Sequence, residues 1–444
     1  MGEHPVKSAP PSPSSSSMRQ VVAASFIGTA IEWYDFFLYG TAAALVFSKL
    51  FFPNFSELAG TLAAFATFAA GFLARPLGGI VFGHFGDRIG RKSMLVVTLL
   101  VMGVATFLIG LLPTYATIGV AAPTLLVLMR LLQGFAVGGE WGGAVLMTVE
   151  HSPKARRGFY GSWPQSGAPC GLVLATGAFA AFSALPDEQF LAWGWRVPFL
   201  LSAVLVAVGL FVRLRLLETP DFAQVKEARE EARLPLVEAI KGHPKNVLLA
   251  FGACMAPFLN FYLLAVFVLT YATSNLGIEE GTALVVVAVA SAIEVVAIPG
   301  YAALSDRLGR RAVFIGGAVA FGLFAYPFFL VTAGGSVAAF AAMTILGLSI
   351  IHPAMYGPLA ALFAEMFSAR VRYSAASLGY QIGGVLGGGF APFILTSLLA
   401  AAGGKPWAIP PYMIGAALVT VAAVYFATEA GAGRRGAPEA AGVG

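Results

Sequence analysis

The sequence predicts an all-α integral membrane protein with twelve transmembrane helices, arranged as two pseudo-symmetric halves of six. The first observation is composition: 58% of the 444 residues are hydrophobic and only 11% are charged, whereas soluble proteins carry about 25% charged residues. The second is a set of twelve apolar runs, each near the length of about 20 residues that crosses a hydrocarbon core. The third is an internal repeat, which divides these runs into two sets of six.

The repeat is a charged motif, Asp-Arg-x-Gly-Arg followed by a basic residue. Its copies begin at Asp87 and Asp306, so the repeat spacing is close to half of the chain. A glutamate with an arginine two helical turns later follows each copy, and these glutamates, Glu150 and Glu365, are separated by nearly the same spacing. Two repeats in register indicate that one half of the chain is a duplicate of the other.

Each apolar run predicts one membrane-spanning helix. Lipid offers no hydrogen-bond partners to the backbone, and a helix satisfies its backbone groups internally. No segment has the alternating pattern of a barrel strand. The predicted spans are 21–48, 58–83, 93–112, 119–149, 159–182, 195–217, 246–275, 281–303, 312–332, 336–363, 373–400 and 408–428.

Polar segments are predicted outside the two halves. Residues 1–20 are rich in Pro and Ser and lack the pattern of a cleaved signal, so we expect a disordered cytoplasmic tail. Residues 218–245 are densely charged and predict a solvated, helical linker between an N-terminal half, 21–217, and a C-terminal half, 246–428. Residues 429–444 predict a second cytoplasmic tail.

The basic residues predict the orientation in the membrane. With both termini inside, the two tails and the even-numbered loops carry 22 of the 27 Lys and Arg residues. Only Lys49, Arg196 and Lys405 fall outside, while Arg75 and Arg130 lie within spans. This distribution follows the positive-inside rule. We therefore predict a multi-pass protein of the cytoplasmic membrane with both termini in the cytoplasm.

Several function classes are disfavoured. The cations form no stripe that would bind nucleic acid, and no G-x-x-x-x-G-K-[ST] motif for a nucleotide occurs. The two cysteines, Cys170 and Cys254, lie inside apolar runs, and no nucleophile–base set or metal-ligand cluster is recognisable. We expect no enzymatic activity, no cofactor and no metal.

With its twelve helices and its charged motif after spans 2 and 8, the chain resembles the major facilitator superfamily over nearly its whole length. Shorter motifs resemble the metabolite:proton symporter family; they lie at 31–36, 74–79, 130–134, 138–141, 356–359 and 373–381. The resemblance implies import of small charged or zwitterionic metabolites, such as proline, glycine betaine, shikimate, 2-oxoglutarate or citrate, together with protons.

Six ionisable residues are predicted at membrane depth: Glu32, Asp35, Arg75, Arg130, Glu140 and Glu294. Such residues usually line a pathway or form a relay, although each can also be an ion pair that only joins helices. Glu32 and Asp35 lie about one helical turn apart and cannot both ionise easily, so we expect at least one to bind a proton. Similarity to proton-coupled sugar porters implies that Asp35 is the proton acceptor and Arg130 its pairing cation.

The substrate site is predicted between the halves. Arg75 either pairs with Glu140 or binds a substrate carboxylate through two hydrogen bonds. Aromatic residues form a cage for a quaternary ammonium group or serve only as packing. His352 takes part in proton transfer or is hydrogen-bonded to a carbonyl, and Glu294 is a cation site or a structural partner. The candidate substrate-binding residues are Arg75, Glu140, Trp33, Tyr34, Gln133, Trp141, Tyr262, His352, Tyr356 and Gln381.

The charged motifs predict a cytoplasmic gate. Asp87 is expected at the N-terminal end of span 11 and Asp306 at that of span 5, where the helix dipole favours an acid. The superfamily resemblance implies a pair of Glu150 with Arg91, and of Glu365 with Arg310 or Arg311, in the outward-facing state. The candidate gate residues are Gly83, Asp87, Arg88, Gly90, Arg91, Lys92, Glu150, Arg157, Asp306, Arg307, Gly309, Arg310, Arg311, Glu365 and Arg372.

These features together predict a proton-coupled symporter that imports a small metabolite by alternating access. We expect it to function as a monomer in the lipid bilayer, with the substrate and protons as its partners and no nucleic acid. The alternatives are a uniporter or proton antiporter of the same fold, or a membrane sensor that binds without transport.

Overall fold

The computed structural model describes residues 15–89, 91–138, 141–150, 152–215, 244–367 and 372–427. Within these ranges the regular structure is helical throughout, without a strand. This confirms the predicted all-α class. Of the predicted polar segments, residues 1–14, 216–243 and 428–444 lie outside the described part of the chain.

The first half contains spans 1 to 6. Its helical segments are Ser15–Ala42, Ala43–Phe47 and Ser48–Phe51 in span 1, Glu57–Ile89 in span 2, Arg91–Leu111 in span 3, Ala121–Gly138 and Trp141–Glu150 in span 4, Arg157–Gly161 and Trp163–Ser183 in span 5, and Asp187–Gln189, Phe190–Gly194 and Arg196–Arg215 in span 6. Two short helices, Tyr115–Ile118 and Lys154–Arg156, lie in the connections.

The second half contains spans 7 to 12. Its helical segments are Pro244–Tyr262, Leu263–Phe267 and Val268–Ser274 in span 7, Glu280–Leu308 in span 8, Arg310–Thr332 in span 9, Val337–Ile345, Leu346–Ile351 and His352–Met366 in span 10, Arg372–Gly383, Gly384–Gly389 and Ala391–Ala401 in span 11, and Pro406–Ala408 and Ile409–Phe426 in span 12.

Apolar length supports a membrane protein. Ten helical stretches of the described residues are long and apolar enough to cross a membrane, and Val96–Leu111 in span 3 is a shorter apolar helix. The one predicted span not among these eleven helices is span 1, which is more polar. Its second half is buried inside the bundle. Large apolar side chains such as Leu77, Val204, Leu323 and Leu418 are exposed on the outer surface, as expected for helices that face lipid.

Three boundaries differ from the sequence prediction. Span 1 is already helical at Ser15, within the segment 1–20 predicted to be disordered. Span 6 begins at Asp187 rather than near 195, because a short helix and a π-helical turn precede it. The charged motif is not a loop: span 8 runs to Leu308, Gly309 turns with φ of 97°, and span 9 starts at Arg310. Only a residue that tolerates positive φ allows so short a turn.

Glycines place the helices of each half in backbone contact. A Cβ on Gly134 of span 4 would lie 1.7 Å from the Gly71 carbonyl oxygen of span 2, and one on Gly138 would lie 1.9 Å from that of Arg75. Neither position can hold a larger residue without moving a helix.

Candidate functional site

A small cavity lies where the two halves meet. Its volume is about 20 Å³, which is room for about one water molecule. Spans 1, 2, 4 and 5 of the first half line it together with span 10 of the second half. Its charged, amide and aromatic lining residues are Glu32, Trp33, Arg75, Trp141, Gln165 and Tyr356. Four of the predicted substrate residues, Trp33, Arg75, Trp141 and Tyr356, are thus brought together.

Aromatic contacts join the two halves at two places. Phe37 of span 1 meets Phe261 of span 7 with ring centroids 5.2 Å apart. Trp141 of span 4, which lines the cavity, stacks on Tyr380 of span 11 with centroids 3.8 Å apart and ring planes 8° from parallel. Among the described residues, this cavity therefore has no room for a metabolite while the halves are in contact.

Arg75 brings a positive charge to the cavity. Its side chain is 1% exposed, and its guanidinium carbon lies 5.2 Å from the ring centroid of Trp33 and 4.6 Å from that of Phe72. Within the described part of the chain, Nε and Nη1 have no hydrogen-bond partner. Buried donors without acceptors are costly, so this group is suited to bind an anion. Its other predicted partner, Glu140, lies outside the described residues.

The predicted hydrogen-bonded pair of Asp35 and Arg130, both of which the structure describes, is absent, which corrects the expectation. Arg130 is fully buried, and its guanidinium carbon lies 3.9 Å from the centroid of the Phe36 ring. Its Nη1 donates to Oε1 of Gln133 at 3.1 Å. Among the described residues, neither carboxyl oxygen of Asp35 has a hydrogen-bond partner. Depth in the membrane suggested this pair, but depth does not fix the direction in which a side chain leaves its helix.

Gln133 joins Arg130 to the surroundings of Asp35. Its Nε2 donates to Oγ1 of Thr106 in span 3 at 2.7 Å, and Thr106 lies beside Asp35. The Thr106 hydroxyl already donates to the Met102 carbonyl at 3.0 Å. Gln133 was predicted to bind substrate, but the structure places it in this polar cluster and not in the cavity lining. Glu32 lines the cavity, whereas Asp35 is not among its lining residues.

The second half holds a buried pair of ionisable side chains. Nδ1 of His352 in span 10 contacts Oε1 of Glu294 in span 8. His352 is 2% exposed and Glu294 is fully buried. The alternative of a histidine bonded to a carbonyl is therefore wrong, because the partner is a carboxylate. His352 also stacks on Tyr356, with ring centroids 5.0 Å apart.

Two glutamines bond across the boundary between the halves. Nε2 of Gln165 in span 5 donates to the Tyr356 carbonyl of span 10 at 2.6 Å. Nε2 of Gln381 in span 11 donates to the Gly138 carbonyl of span 4 at 2.9 Å. The two glutamines are separated by nearly the repeat spacing of the charged motif, so the duplicated halves use equivalent positions. Gln165 was not predicted, although this spacing from Gln381 could have identified it.

Two of the remaining substrate candidates have other roles. The Tyr34 hydroxyl donates to the Pro198 carbonyl at 2.6 Å, which ties span 1 to span 6. Tyr262 packs edge to face against Phe72 at 5.3 Å and lies beside Arg75. Aromatic residues of the spans thus divide into cavity lining and packing, and Tyr34 belongs to the packing.

The second copy of the charged motif links four helices, spans 5, 8, 9 and 10. Oδ1 and Oδ2 of Asp306 accept hydrogen bonds from the backbone N–H groups of Gly158, at 3.0 Å, and Phe159, at 2.9 Å. Arg310 contacts Asp306 at 2.6 Å and Glu365 at 3.3 Å. The expected position of Asp306 at the start of span 5 is thus found, and Glu365 pairs with Arg310. Arg311 instead donates to the Ala427 carbonyl.

The other gate candidates divide by what the structure describes. Arg157 is partly buried and Arg307 is exposed. Gly90 lies outside the described residues, and so do the side chains of Asp87, Arg88, Arg91, Lys92, Glu150 and Arg372 and the surroundings of Gly83. Within the described part of the chain, no group of three or more His, Cys, Asp or Glu side chains could hold a metal ion.

Comparison with known proteins identifies relatives that match most of the chain. The profile of the sugar (and other) transporter family matches residues 21–246 and 236–434. The shikimate transporter of Escherichia coli (strain K12) is 44% identical over 408 residues, covering 91% of this chain and 93% of that protein. The proline/betaine transporter of Salmonella typhimurium (strain LT2) is 36% identical over 395 residues, covering 86% of this chain and 77% of that protein.

A solved structure shares the architecture. The E. coli xylose transporter XylE, in a partially occluded inward-open conformation, aligns with a TM-score of 0.72 over 94% of this chain and 99% of that chain, at 19% identity. A likeness at this identity concerns the fold alone. Together with the family match, it shows that the chain is a membrane transporter of the sugar (and other) transporter family, within the major facilitator superfamily.

Proposed function

We propose that the chain imports a small metabolite with a carboxylate group, together with protons, across the bacterial inner membrane. The observation that carries this proposal is Arg75, a buried cation at the cavity whose Nε and Nη1 lack acceptors among the described residues. A carboxylate can accept from two such donors at once. Shikimate, proline and betaine, the compounds in the names of the relatives, all carry one.

The rest of the lining favours a compact molecule. Trp33, Trp141 and Tyr356 provide flat apolar walls, and Glu32 adds an acid near Arg75. Aromatic faces suit either a carbon ring or a quaternary ammonium group. Shikimate and glycine betaine are therefore the two probes that separate a ring acid from a zwitterion.

Alternating access explains how a protein with a closed central cavity can transport a substrate. The charge distribution supports placing the Asp306 end of the bundle in the cytoplasm, with both termini on that side. Opening inward then requires the hydrogen bonds of Asp306 to span 5 and those of the two bridging glutamines to break. Opening outward requires the Phe37–Phe261 contact to separate.

Proton coupling is assigned to Asp35. Burying an ionised carboxylate without a partner is costly, and the described residues give Asp35 no hydrogen bond. We infer that Asp35 carries a proton in this closed state and releases it when water enters from the cytoplasmic side. Arg130, held by Gln133 nearby, is the cation that then stabilises the ionised form.

The experiment is uptake into proteoliposomes under an inward proton gradient, with radiolabelled shikimate and glycine betaine as probes. One probe should accumulate above its outside concentration. R75Q should lower its uptake at least about tenfold, since a hydrogen bond to a charged group contributes roughly 1.5–3 kcal/mol. K405Q, at an exposed position in the connection between spans 11 and 12, is the matched control that should behave as wild type.

Two results would contradict the proposal. If R75Q accumulated the probe like K405Q, the anion site would be elsewhere. If the probe equilibrated without accumulating, the chain would be a uniporter, and if the inward proton gradient drove efflux of the probe, it would be an antiporter.

A further inference from the structure

The Glu294–His352 pair has no role in the function proposed above, yet it lies deep in the bundle. Glu294 precedes Asp306 in span 8 by about 18 Å along the helix, at 1.5 Å rise per residue. Span 8 is 29 residues long, so this position is near its middle. Ionisable groups at such a depth are rare in membrane proteins and usually take part in transport.

The repeat relates this pair to the substrate site. Glu294 follows Arg75 at the same spacing that separates Asp306 from Asp87. The duplicated halves therefore carry opposite charges at equivalent positions of spans 2 and 8. A residue that only filled space in both halves would not need to differ in charge. We therefore expect Glu294 to have a function that differs from that of Arg75.

The geometry of the pair suits a proton. Oε1 of Glu294 contacts the imidazole, whereas Oε2 has no hydrogen-bond partner in the described part of the chain. With one proton between them, the two groups are neutral overall. A second proton on the carboxyl or the ring makes the pair a cation, so the pair can change its charge by binding one proton.

Tyr356 connects the pair to the cavity. It lies one helical turn after His352, whose ring it stacks on, and it lines the cavity. Its carbonyl accepts from Gln165 of the first half, and its hydroxyl shares a 2.9 Å hydrogen bond with the Tyr380 hydroxyl. A change in the charge of the pair thus acts on a residue that joins the two halves.

The surrounding groups give a reason for coupling. Besides the pair, the titratable and charged groups around Tyr356 in the described part of the chain are Tyr380 on span 11, Cys254 and Tyr262 on span 7, Arg75 on span 2 and Glu32 on span 1. The charge of Arg75 opposes an added positive charge in this region. A substrate carboxylate on Arg75 removes that opposition, because it neutralises the guanidinium.

We propose that Glu294 and His352 form a second proton-binding site, which takes up its proton when a substrate carboxylate reaches Arg75. The proposal rests on the proposed proton-coupled import and adds to it: Asp35 binds one proton in the first half, and the pair binds another in the second half.

The test measures protons moved per substrate. Wild type, E294Q and H352N are reconstituted in proteoliposomes, and the pH gradient that stops net flux of the accumulated probe, shikimate or glycine betaine, is determined at zero membrane potential and a fixed substrate gradient. We expect E294Q and H352N each to move one proton fewer per substrate than wild type. Counterflow, which exchanges substrate without net proton movement, should persist in both variants.

E294D is the matched control, because it keeps the carboxyl and should keep the wild-type proton number. The proposal is overturned if E294Q moves as many protons as wild type. It is also overturned if E294Q and E294D lose counterflow and uptake in parallel, since the pair would then be structural. If wild type itself moves no protons, the proposed function fails first, and this proposal fails with it.

Discussion

The cost of burial is offset by different contacts for three ionisable side chains at membrane depth, Arg75, Arg130 and Glu294. Glu294 has an imidazole partner in His352. Arg130 lies against the ring of Phe36 and donates to an amide oxygen, which leaves only Nη2 without a partner among the described residues. Arg75 lies against aromatic rings and keeps two nitrogens without acceptors among the described residues. This difference is the residue-scale reason for assigning substrate binding to Arg75.

We predict that Arg75→Lys weakens binding of the transported probe although it keeps the charge. Lysine cannot offer the two parallel donors of a guanidinium. Loss of one such hydrogen bond should lower affinity by about tenfold or more, measured by calorimetry on purified protein. An affinity equal to wild type would mean that Arg75 acts only as a point charge.

Buried polar residues could be predicted from the sequence, while their partners could not. Arg75, Trp141 and Tyr356 were identified because charges and aromatics inside apolar runs are conspicuous. The prediction that Asp35 pairs with Arg130 was wrong, because a similar depth in the membrane does not determine how each helix is rotated about its axis. Gln165 was missed because an isolated amide in a span carries no signal without its repeat partner.

At the scale of helices, glycines set how closely spans approach. Gly134 and Gly71 place spans 2 and 4 in backbone contact. Gly167 of span 5 and Gly383 of span 11, which are related by nearly the repeat spacing, make similar contacts with spans 1 and 7. The duplicated halves therefore share one packing scheme.

Gly134→Ala should destabilise the protein by about 1–3 kcal/mol, the usual cost of overpacking. The added methyl group would meet the backbone of span 2, which cannot move aside as a side chain can. Thermal unfolding in detergent measures the effect, with Gly300→Ala as the control, because nothing lies within 4 Å of a Cβ there. Equal melting temperatures for the two variants would show that spans 2 and 4 are less tightly packed.

Hydropathy predicted the positions of the helices well, whereas it predicted the connections between them poorly. The apolar runs located the spans, because lipid requires long apolar helices. Charged residues at 305–311 looked like a loop, but span 8 continues to Leu308 and Gly309 alone makes the turn. Charge indicates exposure to water, and it does not distinguish a loop from the end of a helix.

At the scale of the whole molecule, two equivalent hydrogen bonds hold the halves together in the closed state. Gln165 and Gln381 each donate to a backbone carbonyl of the opposite half. Inward opening must break both, so their strength contributes to the balance between the closed and inward-open states.

Removing either bond should increase the population of open states. We predict that Q165A and Q381A each raise the rate at which a polar maleimide labels a cysteine placed at Val145, which is buried near the half interface, in a background without Cys170 and Cys254. Q189A, at an exposed position, is the control. Unchanged labelling in both variants would mean that these bonds do not limit opening.

The two-half architecture was predictable because the motif repeat is visible in the sequence. Contacts between the halves were not, because they depend on how two folded bundles face each other. Gln381 was predicted to bind substrate from its family motif, and the structure places its amide on the Gly138 carbonyl instead.

Substrate-driven proton movement distinguishes proton symport from uniport and antiport. Proteoliposomes in weakly buffered medium receive shikimate or glycine betaine, without an imposed gradient, while external pH is recorded. We predict that wild type alkalinises the medium, and that D35N loses proton-driven accumulation while it keeps counterflow of substrate. Uptake without alkalinisation in wild type, or accumulation at wild-type levels in D35N, would contradict it.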